Sequence, residues 1–398
     1  MDKRLVSLEV ENFRSLRKIH LHLGDLTVLV GPNGAGKTNV LKVFDFLADI
    51  IRTDLEPALD ARGGFDEVVF HGGDKPPSSI RIKATATWTT HSSRNAPDEY
   101  ELRITRSRRS SGDVLSRRET FQFKRTQGRG RRITISGQQA TVVGTGGAED
   151  TEGSIGIKSL SSGLSTLPRL HGEAGGEEVS AVADRLASFR VFDVAVPAAR
   201  RPVRVPRHRE YLEDDASNLA SFLLMLRRSD PTSFERLQED ARQALPQLES
   251  IDFEHFTSGT REVAVVLHER GLRRPTPLVD ASYGTVRLLG LLALLYDPQP
   301  PALTCVEEID HGLHPQALEM LVERLREASE RSQYLIATHS PALADRLRPE
   351  EFVVCERRED GSSAIPAVST ADIRRIVQAS DDLPLGELWF SGALGGDL

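Results

Sequence analysis

Leu26-Thr-Val-Leu-Val30 runs directly into Gly31-Pro-Asn-Gly-Ala-Gly-Lys-Thr38, and this stretch decides the fold. Its first five residues are apolar or β-branched, which is typical of a strand buried on both faces. The next eight match the pattern G-x-x-x-x-G-K-[ST], and the helical spacing of Val40, Phe44 and Leu47 follows them. A buried strand, a glycine-rich loop and a helix in this order predict a phosphate-binding loop.

Each residue type in this loop has a physical reason to be there. Glycines allow successive backbone N–H groups, together with the N-terminus of the helix, to face phosphate oxygens. Lys37 would reach the β- and γ-phosphate oxygens, and the Thr38 hydroxyl would bind Mg²⁺. A chance glycine turn is the alternative, and the strand–loop–helix context disfavours it. The residues expected to bind the nucleotide here are Asn33, Gly34, Ala35, Gly36, Lys37 and Thr38.

A second apolar strand ends in acidic residues, in the stretch Leu303-Thr-Cys-Val-Glu-Glu-Ile-Asp310. Acids at the C-terminal edge of a parallel sheet would lie beside the phosphate-binding loop, where ligands bind in such sheets. Glu307 would then hold Mg²⁺, directly or through water, and Glu308 would orient and deprotonate the attacking water. Two acids after a strand can also be a solvated sheet edge, but the loop favours the catalytic interpretation.

Two further polar groups follow the same logic. His339 ends the apolar strand Gln333–Thr338, where its imidazole could donate a hydrogen bond to a γ-phosphate, although a lone histidine is often structural. Ser282-Tyr-Gly284 begins the apolar helix Val286 to Leu295. Taken alone, Ser-x-Gly at this position is most simply a helix cap.

Composition limits the class of protein. Of 398 residues, 39% are hydrophobic and 27% charged, and the formal net charge is -7, values typical of a soluble globular protein. Only two cysteines are present, which favours a reducing cytoplasm over a secreted scaffold. No signal-peptide pattern is visible, and no apolar run approaches the ~20 residues of a membrane span.

The chain divides by pattern into five expected segments. Alternating residues such as Ile80 to Trp88 predict an antiparallel sheet with one wet face, whereas ten glycines between Gly137 and Gly176 predict a mobile insertion. The expected segments are an N-terminal lobe with the phosphate-binding loop (1–60), an antiparallel β-subdomain (61–136), a Gly-rich mobile insertion (137–185), a linker with a helical lid (186–280) and a C-terminal ATPase lobe (281–398).

Together and in this order, the motifs resemble ATP-binding-cassette ATPases, within them the RecF/SMC-type heads, and most closely bacterial "AAA family" ATPases related to overcoming-lysogenization-defect proteins. Supporting stretches are Glu11-Asn-Phe-Arg-Ser15, Gly312-Leu-His-Pro315, Thr338-His-Ser-Pro341 and Leu385-Gly-Glu-Leu-Trp-Phe-Ser-Gly392. The resemblance implies an α/β head with a mainly parallel core sheet, an antiparallel β-subdomain and a helical lid subdomain.

The resemblance also implies a mechanism shared between two chains, with ATP and Mg²⁺ bound between them. Ser282 and Gly284 would touch a γ-phosphate held by the partner's Lys37, giving an ATP-dependent homodimer that hydrolysis releases. Asp310 would begin a loop that crosses the interface, and Arg14 would approach the nucleotide. Two residues depart from the usual pattern, Glu307 in place of aspartate and the bulky Tyr283 within the signature segment, where its ring could slow dimer closure.

Two functional classes stay open at this stage. One is a DNA-associated switch in repair or anti-phage defence, and the other is an ATPase that regulates a separate effector protein without touching nucleic acid. Residues 101–132 hold eleven basic residues against three acidic, a local charge of +8, which is either a phosphate-binding stripe or a solvated sheet face. With 59 residues after His339, we expect no nuclease module within this chain.

Overall fold

A computed structural model of the protein describes residues 3–73, 75–109, 112–124, 130–143, 153–169, 176–206, 211–256, 261–380 and 383–395. Its strands are β1 (Leu5–Phe13), β2 (Leu16–His22), β3 (Leu26–Val30), β4 (Ser79–Ala86), β5 (Asp98–Arg109), β6 (Gly112–Phe123), β7 (Arg131–Ser136), β8 (Gln139–Val143), β9 (Gly153–Gly156), β10 (Arg190–Phe192), β11 (Val203–Arg204), β12 (Leu248–Phe256), β13 (Glu262–Glu269), β14 (Thr276–Pro277), β15 (Leu303–Glu307), β16 (Gln333–Thr338), β17 (Phe352–Val354), β18 (Glu356–Arg357) and β19 (Ser363–Ala364).

The helices differ widely in length, and the longest ones flank the phosphate-binding loop and the acidic strand. They are α1 (Lys37–Arg52), α2 (Leu55–Asp60), α3 (Phe65–Val68), α4 (Gly163–Thr166), α5 (Gly176–Ala187), α6 (Val196–Ala199), α7 (Leu219–Ser229), α8 (Pro231–Ala244), α9 (Tyr283–Leu295), α10 (Pro315–Ser329), α11 (Pro341–Ala344), α12 (Thr370–Ala379) and α13 (Leu385–Phe390). No helix among the described residues is long and apolar enough to span a membrane.

The central sheet is parallel, with the strand order β10-β15-β16-β3-β17. Its strands are short apolar runs because both faces are covered, as the composition of Leu26–Val30 predicts. Alternate residues of β3 point into different cores: Val28 packs with α7 to α10, and Leu29 packs with α1 and the antiparallel sheet. The parallel sheet is therefore the middle layer of the molecule.

The antiparallel sheet has eight strands in the order β2-β1-β4-β5-β6-β7-β8-β9. On β4, Ile80, Ile82 and Ala84 are buried, whereas the alternating Arg81 and Lys83 are only partly covered. This alternation is the predicted pattern of a sheet with one wet face. The buried face packs on α1, so the helix that follows the phosphate-binding loop is held between two sheets.

The C-terminal half supplies the lid and the rest of the core. The helical spacing after Tyr211 corresponds to α7 and α8, which pack beside α9. A smaller sheet, β11-β13-β12 with β14 on β13, accompanies these helices, so the expected helical lid also contains strands. Sequence patterns missed β12 because its residues from Glu254 to Phe256 are exposed and give no clear alternation.

The segment boundaries differ from the expected ones at two places. Strands β1 and β2 belong to the antiparallel sheet although they precede the phosphate-binding loop. Strands β8 and β9, together with α4, lie within residues 137–185, so the sheet continues beyond residue 136. The glycine-rich composition concealed these short strands. Residues 144–152 and 170–175 of the expected mobile insertion lie outside the described residues.

Candidate nucleotide-binding site

The phosphate-binding loop takes the conformation that its glycines allow. Gly34 and Gly36 have positive φ angles of 83° and 100°, which favour glycine because a Cβ atom is strongly disfavoured there. A Cβ atom on Gly36 would lie 2.1 Å from the Oγ of Ser363 and 2.7 Å from that of Ser15. The loop therefore wraps closely under two serine hydroxyls from distant parts of the chain.

Lys37 lies inside the loop and is 7% exposed. Its Nζ donates hydrogen bonds to the main-chain oxygens of Gly31 (2.6 Å) and Pro32 (2.9 Å). Burial lowers the pKa of this amine, while the charges of Cys355, Glu308 and Glu307 act in the opposite direction. The ammonium group thus sits at the floor of the loop beside the two candidate acids.

The strand register brings the acidic strand to the loop. Val30 pairs with Thr338, and Ala337 pairs with Glu307, so β3, β16 and β15 end at the same edge. Burial raises the pKa of the Glu307 carboxyl, and the neighbouring Asp193 and Glu308 contribute to this rise. A hydrogen bond from Thr38 and the charge of Lys42 partly offset it. Thr38 and Glu307, the expected Mg²⁺ ligands, are therefore neighbours.

Glu308 has a backbone conformation that is unusual for a residue with a side chain, with φ of 46°. Its N–H donates to the oxygen of Ala337 at 2.8 Å, which continues the parallel pairing beyond the end of β15. Its carboxylate Oε1 lies 3.5 Å from Nδ1 of His339, and both side chains are nearly half exposed. The structure thus places the expected base and the expected histidine side by side at the sheet edge.

These groups line one cavity of about 280 Å³. Its walls are formed by the loop, the start of α1, the ends of β15 and β16 and one arginine of β18: Asn33, Gly34, Gly36, Lys37, Thr38, Asn39, Lys42, Glu307, Glu308, Ala337 and Arg357. His339 is not among these lining residues. Ala35 is fully buried behind the loop, where its N–H donates to the oxygen of Pro32. The cavity has the composition expected for a triphosphate and a divalent cation, with cations and N–H groups on one wall and carboxylates on the other.

A second cavity, of about 430 Å³, adjoins the first and shares Asn39 and Arg357 with it. Arg14 lines this cavity; its backbone N–H donates to Val68, and its buried Nε has no hydrogen-bond partner within the described residues. A buried guanidinium N–H without a partner is costly, so a ligand that supplies an acceptor fits this position. Arg14 therefore lines a cavity next to the phosphate-binding loop, and its contact with a nucleotide stays a prediction.

The signature segment, Ser282–Gly284, lines neither of these two cavities. Ser282 caps α9, where its Oγ accepts from the N–H of Thr285 at 3.1 Å, and it lines a separate cavity of about 360 Å³. Gly284 packs against Gly312, because a Cβ atom on Gly284 would lie 2.4 Å from the Gly312 oxygen. Within one chain, Ser282 and Gly284 thus do not line the cavity formed by their own phosphate-binding loop.

Asp310 takes part in a contact that its sequence position does not reveal. Its Oδ1 accepts a hydrogen bond of 2.7 Å from the Thr338 hydroxyl, which also accepts from the N–H of Ser340. Asp310 therefore ties the segment after β15 to the end of β16, the strand that directly precedes His339. Its expected contact with a nucleotide stays a prediction.

Sequence reasoning missed two residues at this edge, Arg287 and Asp193. Arg287 on α9 donates to the oxygens of Glu307 (3.1 Å) and Glu308 (2.8 Å) and to Oδ1 of Asp193 (3.1 Å). One signal was available: Arg287 is the one charged residue in the apolar run from Val286 to Tyr296, and a buried arginine needs acceptors. Asp193 directly follows β10, which has only three residues and shows no distinguishing sequence pattern.

No cluster of three or more His, Cys, Asp or Glu side chains suited to a metal ion occurs in the described part of the chain. The two histidines that follow the acidic strand, His311 and His314, make local contacts: the His311 ring lies 5.6 Å from that of Tyr283, and Nδ1 of His314 accepts from the N–H of Gln316 at the start of α10. A divalent cation at this site would thus depend on Thr38 and Glu307 together with phosphate oxygens.

Comparison with known proteins identifies a matching family and solved structures of similar fold. The family described as "AAA domain, putative AbiEii toxin, Type IV TA system" matches residues 26–345. A stretch of 55 residues is 49% identical to the OLD nuclease of Thermus scotoductus (strain ATCC 700910 / SA-01). That stretch is 14% of this chain and 10% of the nuclease, so the chain matches about a tenth of that relative's length.

Solved Smc heads share the fold at low sequence identity. An Smc head bound to the C-terminal winged-helix domain of ScpA superimposes with a TM-score of 0.57 and 12% identity, covering 94% of this chain and 99% of that one. The Pyrococcus furiosus Smc head with an extended coiled coil, bound to the C-terminal domain of ScpA, gives 0.54 and 12% identity, covering 95% and 100%. The expected α/β head of the RecF/SMC type is confirmed.

Proposed function

Because the chain belongs to the AAA domain family described as "putative AbiEii toxin, Type IV TA system", we propose that it is an ATPase whose two copies dimerise head to head around ATP and Mg²⁺. The observation that carries the proposal is the cavity in which Lys37 and Thr38 face Glu307 and Glu308. Cations and N–H groups on one side and carboxylates on the other suit a triphosphate, a divalent cation and an attacking water.

In the proposed reaction, different residues of the chain bind the phosphates, bind the cation and accept a proton. Bound ATP with Mg²⁺ supplies the phosphoanhydride bond that water cleaves. The loop amides and Lys37 hold and neutralise the phosphates, while Thr38 and Glu307 provide the oxygen ligands for the cation. Glu308 accepts the proton of the attacking water, and His339 at 3.5 Å orients that carboxylate.

The placement of the signature segment supports a dimer. Ser282 and Gly284 lie outside the cavity of their own chain. Tyr283 and Val279 beside them are 43% and 49% exposed, although both are large hydrophobic residues. A second copy that places this surface over the first cavity would cover these side chains and bring Ser282 to the γ-phosphate. Arg14 would then contact the nucleotide from within the same chain that holds the phosphates.

Two variants test the chemistry. Lys37→Ala is expected to abolish ATP binding, because the loop loses its cation, whereas Glu308→Gln is expected to bind ATP and accumulate as a dimer without hydrolysing it. Binding is measured by titration with a fluorescent ATP analogue, dimerisation by light scattering and hydrolysis by phosphate release. Glu319→Gln, an exposed change on α10, is the control. Hydrolysis by Glu308→Gln at the original rate would refute the assignment of the base.

A role for the dimer as a DNA-associated switch in repair or anti-phage defence rests on the basic residues within 101–132. Ion pairs within the fold reduce the number of these residues that could contact DNA. Arg117 is fully buried beside Glu119, Arg106 pairs with Asp66, and Arg131 pairs with Glu178. Lys124 pairs with Glu99. These cations serve the fold, while Arg125 and Arg129 lie outside the described residues.

Among the exposed basic residues of this stretch, which also include Arg108 beside Asp113, three form a smaller surface on one face of the sheet. Arg103 lies opposite Arg118 across β5 and β6, and Arg132 lies opposite Gln122 on the neighbouring β7. All three arginines are exposed, and their side chains share the wet face. We therefore assign any contact with DNA to Arg103, Arg118 and Arg132.

The alternative function is regulation of a separate effector protein without nucleic-acid contact. It is favoured because most of these cations pair with carboxylates, and even Arg103 lies 3.9 Å from Glu101. Filter binding of duplex DNA at two salt concentrations separates the two functions. A DNA switch should lose affinity steeply with salt, and changing Arg103, Arg118 and Arg132 to glutamine should flatten that dependence. Changing Arg236, an exposed arginine of α8, to glutamine is the control. Absence of binding at low salt would leave the effector function.

A further inference from the structure

The backbone of Glu308 needs external support. A residue with a side chain rarely adopts a φ of 46°, and such a conformation persists where the surrounding structure determines it. Rotation of this backbone would redirect the carboxylate away from His339 and from the cavity. The contacts that hold the two peptide groups beside Glu308 are therefore contacts that determine where the proposed base points.

Arg287 provides most of these contacts from a neighbouring helix. Its guanidinium donates to the oxygen of Glu308 at 2.8 Å and to that of Glu307 at 3.1 Å. The N–H of His311 donates to the same Glu308 oxygen at 2.9 Å. Two consecutive carbonyl groups are thus held by one rigid, planar group, which restricts the φ and ψ rotations of Glu308 between them.

The guanidinium is also fixed at its other end. Arg287 is 3% exposed, and its NH1 group lies 3.1 Å from Oδ1 of Asp193, which follows β10 beside the acidic strand. A buried arginine is tolerated only with acceptors of this kind. Since α9 is otherwise apolar after Thr285, packing alone does not explain an arginine at this position.

The same face of α9 carries the signature segment. Tyr283 and Gly284 precede Arg287 by four and three residues, so the three lie on one face of the helix. Gly284 packs against the oxygen of Gly312, and the Tyr283 ring covers the Cα of Gly312. The first turn of α9 is therefore docked on residues 307–312 as one unit, and a displacement of that turn would reach the carbonyls of Glu307 and Glu308.

We propose that Arg287 is a positioning residue that holds Glu308 in its active conformation and couples the signature segment Ser282–Gly284 to Glu308 of the same chain. This inference rests on the ATPase function proposed above. In a head-to-head dimer, the signature segment of each chain contacts the nucleotide of the other. Arg287 would then make hydrolysis in one site depend on occupancy of the second site.

Arg287→Ala and Arg287→Lys test the proposal against a matched control, Arg331→Ala. Arg331 also donates to two carbonyls at one end of α9, those of Leu295 and Asp297, but at the opposite end from the site. In Arg287→Ala, kcat should fall about tenfold or more while KM for ATP changes less than about threefold, because binding groups are untouched. Arg287→Lys should restore part of kcat, and Arg331→Ala should leave it unchanged.

Hydrogen exchange provides a readout that does not require ATP. The amide of His311 donates to the Glu308 oxygen, so its exchange should accelerate about tenfold in Arg287→Ala and stay unchanged in Arg331→Ala. Unchanged exchange at His311, or equal acceleration in both variants, would overturn the inference whether or not the protein hydrolyses ATP. If the unmodified protein lacks ATPase activity but His311 responds, the proposed function fails while the positioning contact stands.

Discussion

Replacing Gly36 with alanine is expected to destabilise the protein considerably more than the same replacement at Gly34. Both glycines lie in the phosphate-binding loop with positive φ angles, 100° and 83°. Their surroundings differ: a Cβ atom on Gly34 meets nothing within 4 Å, whereas one on Gly36 falls 2.1 Å from Oγ of Ser363. The pair separates the cost of backbone conformation from the cost of a steric clash.

The magnitudes follow from these contacts. Left-handed backbone costs a residue with a side chain about 1–2 kcal/mol, which is the whole effect expected for Gly34→Ala. Gly36→Ala adds displacement of the two serines, which share a hydrogen bond of 2.7 Å; Ser15 also accepts one from the Asn39 amide at 2.8 Å. Each lost hydrogen bond costs about 0.5–1.5 kcal/mol, so the total for Gly36→Ala is about 2–5 kcal/mol.

Urea unfolding, followed by the fluorescence of the buried Trp88 and Trp389, measures both free energies of unfolding. The same variants are titrated with a fluorescent ATP analogue. Gly36→Ala should be less stable than Gly34→Ala by about 1–3 kcal/mol, from the hydrogen bonds alone. Equal stability of the two variants would refute the reasoning, because it would show that the loop does not pack against Ser15 and Ser363 as described.

Three further predictions concern other parts of the chain. Arg117→Met should lower the free energy of unfolding in urea by about 3–5 kcal/mol, because it leaves the Glu119 carboxylate buried without its cation. Adding Glu119→Gln should recover much of this loss, and an equal loss in the single and double variants would contradict the prediction. Burial raises the pKa of Asp54, but hydrogen bonds from Ser162, Ser165 and the Leu55 N–H outweigh it, so the pKa lies below its ordinary value. The stabilisation from the ionised Asp54 is present above the ordinary carboxyl pKa and is lost as pH falls through the pKa of the folded state. Asp54→Asn should therefore reduce the drop in Tm between pH 5 and pH 3, and an unchanged drop would contradict this prediction. Tyr283→Ala should speed ATP-dependent dimerisation in stopped-flow light scattering, because the bulky exposed ring at the proposed interface delays closure, and slower dimerisation would contradict this role.

The fold could be predicted to a large extent because its elements are encoded by contiguous residues. The apolar run Leu26–Val30, the glycine loop and the spacing of α1 each depend on neighbours in the chain, and the alternation from Ile80 to Ala86 correctly indicated a half-buried strand. Weak local patterns were missed. Strands β8 and β9 lie in glycine-rich sequence, and their pairing depends on the sheet edge that β7 offers.

Local sequence also predicted which side chains meet at the candidate site. Because a parallel sheet aligns the carboxyl ends of its strands, three strands ending in Val30, Glu307 and Thr338 predicted that the loop, the acids and His339 would meet. The register of β3, β15 and β16 brings them together. The roles of these side chains in binding and hydrolysis stay predictions for the experiments described above.

Charge shows most clearly what local sequence could not reveal. The +8 of residues 101–132 is a property of composition, yet whether each arginine is available to a ligand depends on carboxylates elsewhere, such as Asp66 and Glu178. Only the folded chain decides which cations are paired with them. The remaining exposed arginines, not the sum, define where DNA would bind.

Short-range patterns of burial and backbone preference specify the strand–loop–helix unit, the acidic strand β15 and the strand β16 that precedes His339. The contacts that hold the site arise from tertiary packing: Ser363 lies 348 positions from its partner Ser15, and Arg287 on α9 reaches the carbonyls of Glu307 and Glu308. Such contacts join side chains to main-chain groups that carry no residue-specific signal. Their partners are therefore set by how the layers pack and not by any pattern along the chain.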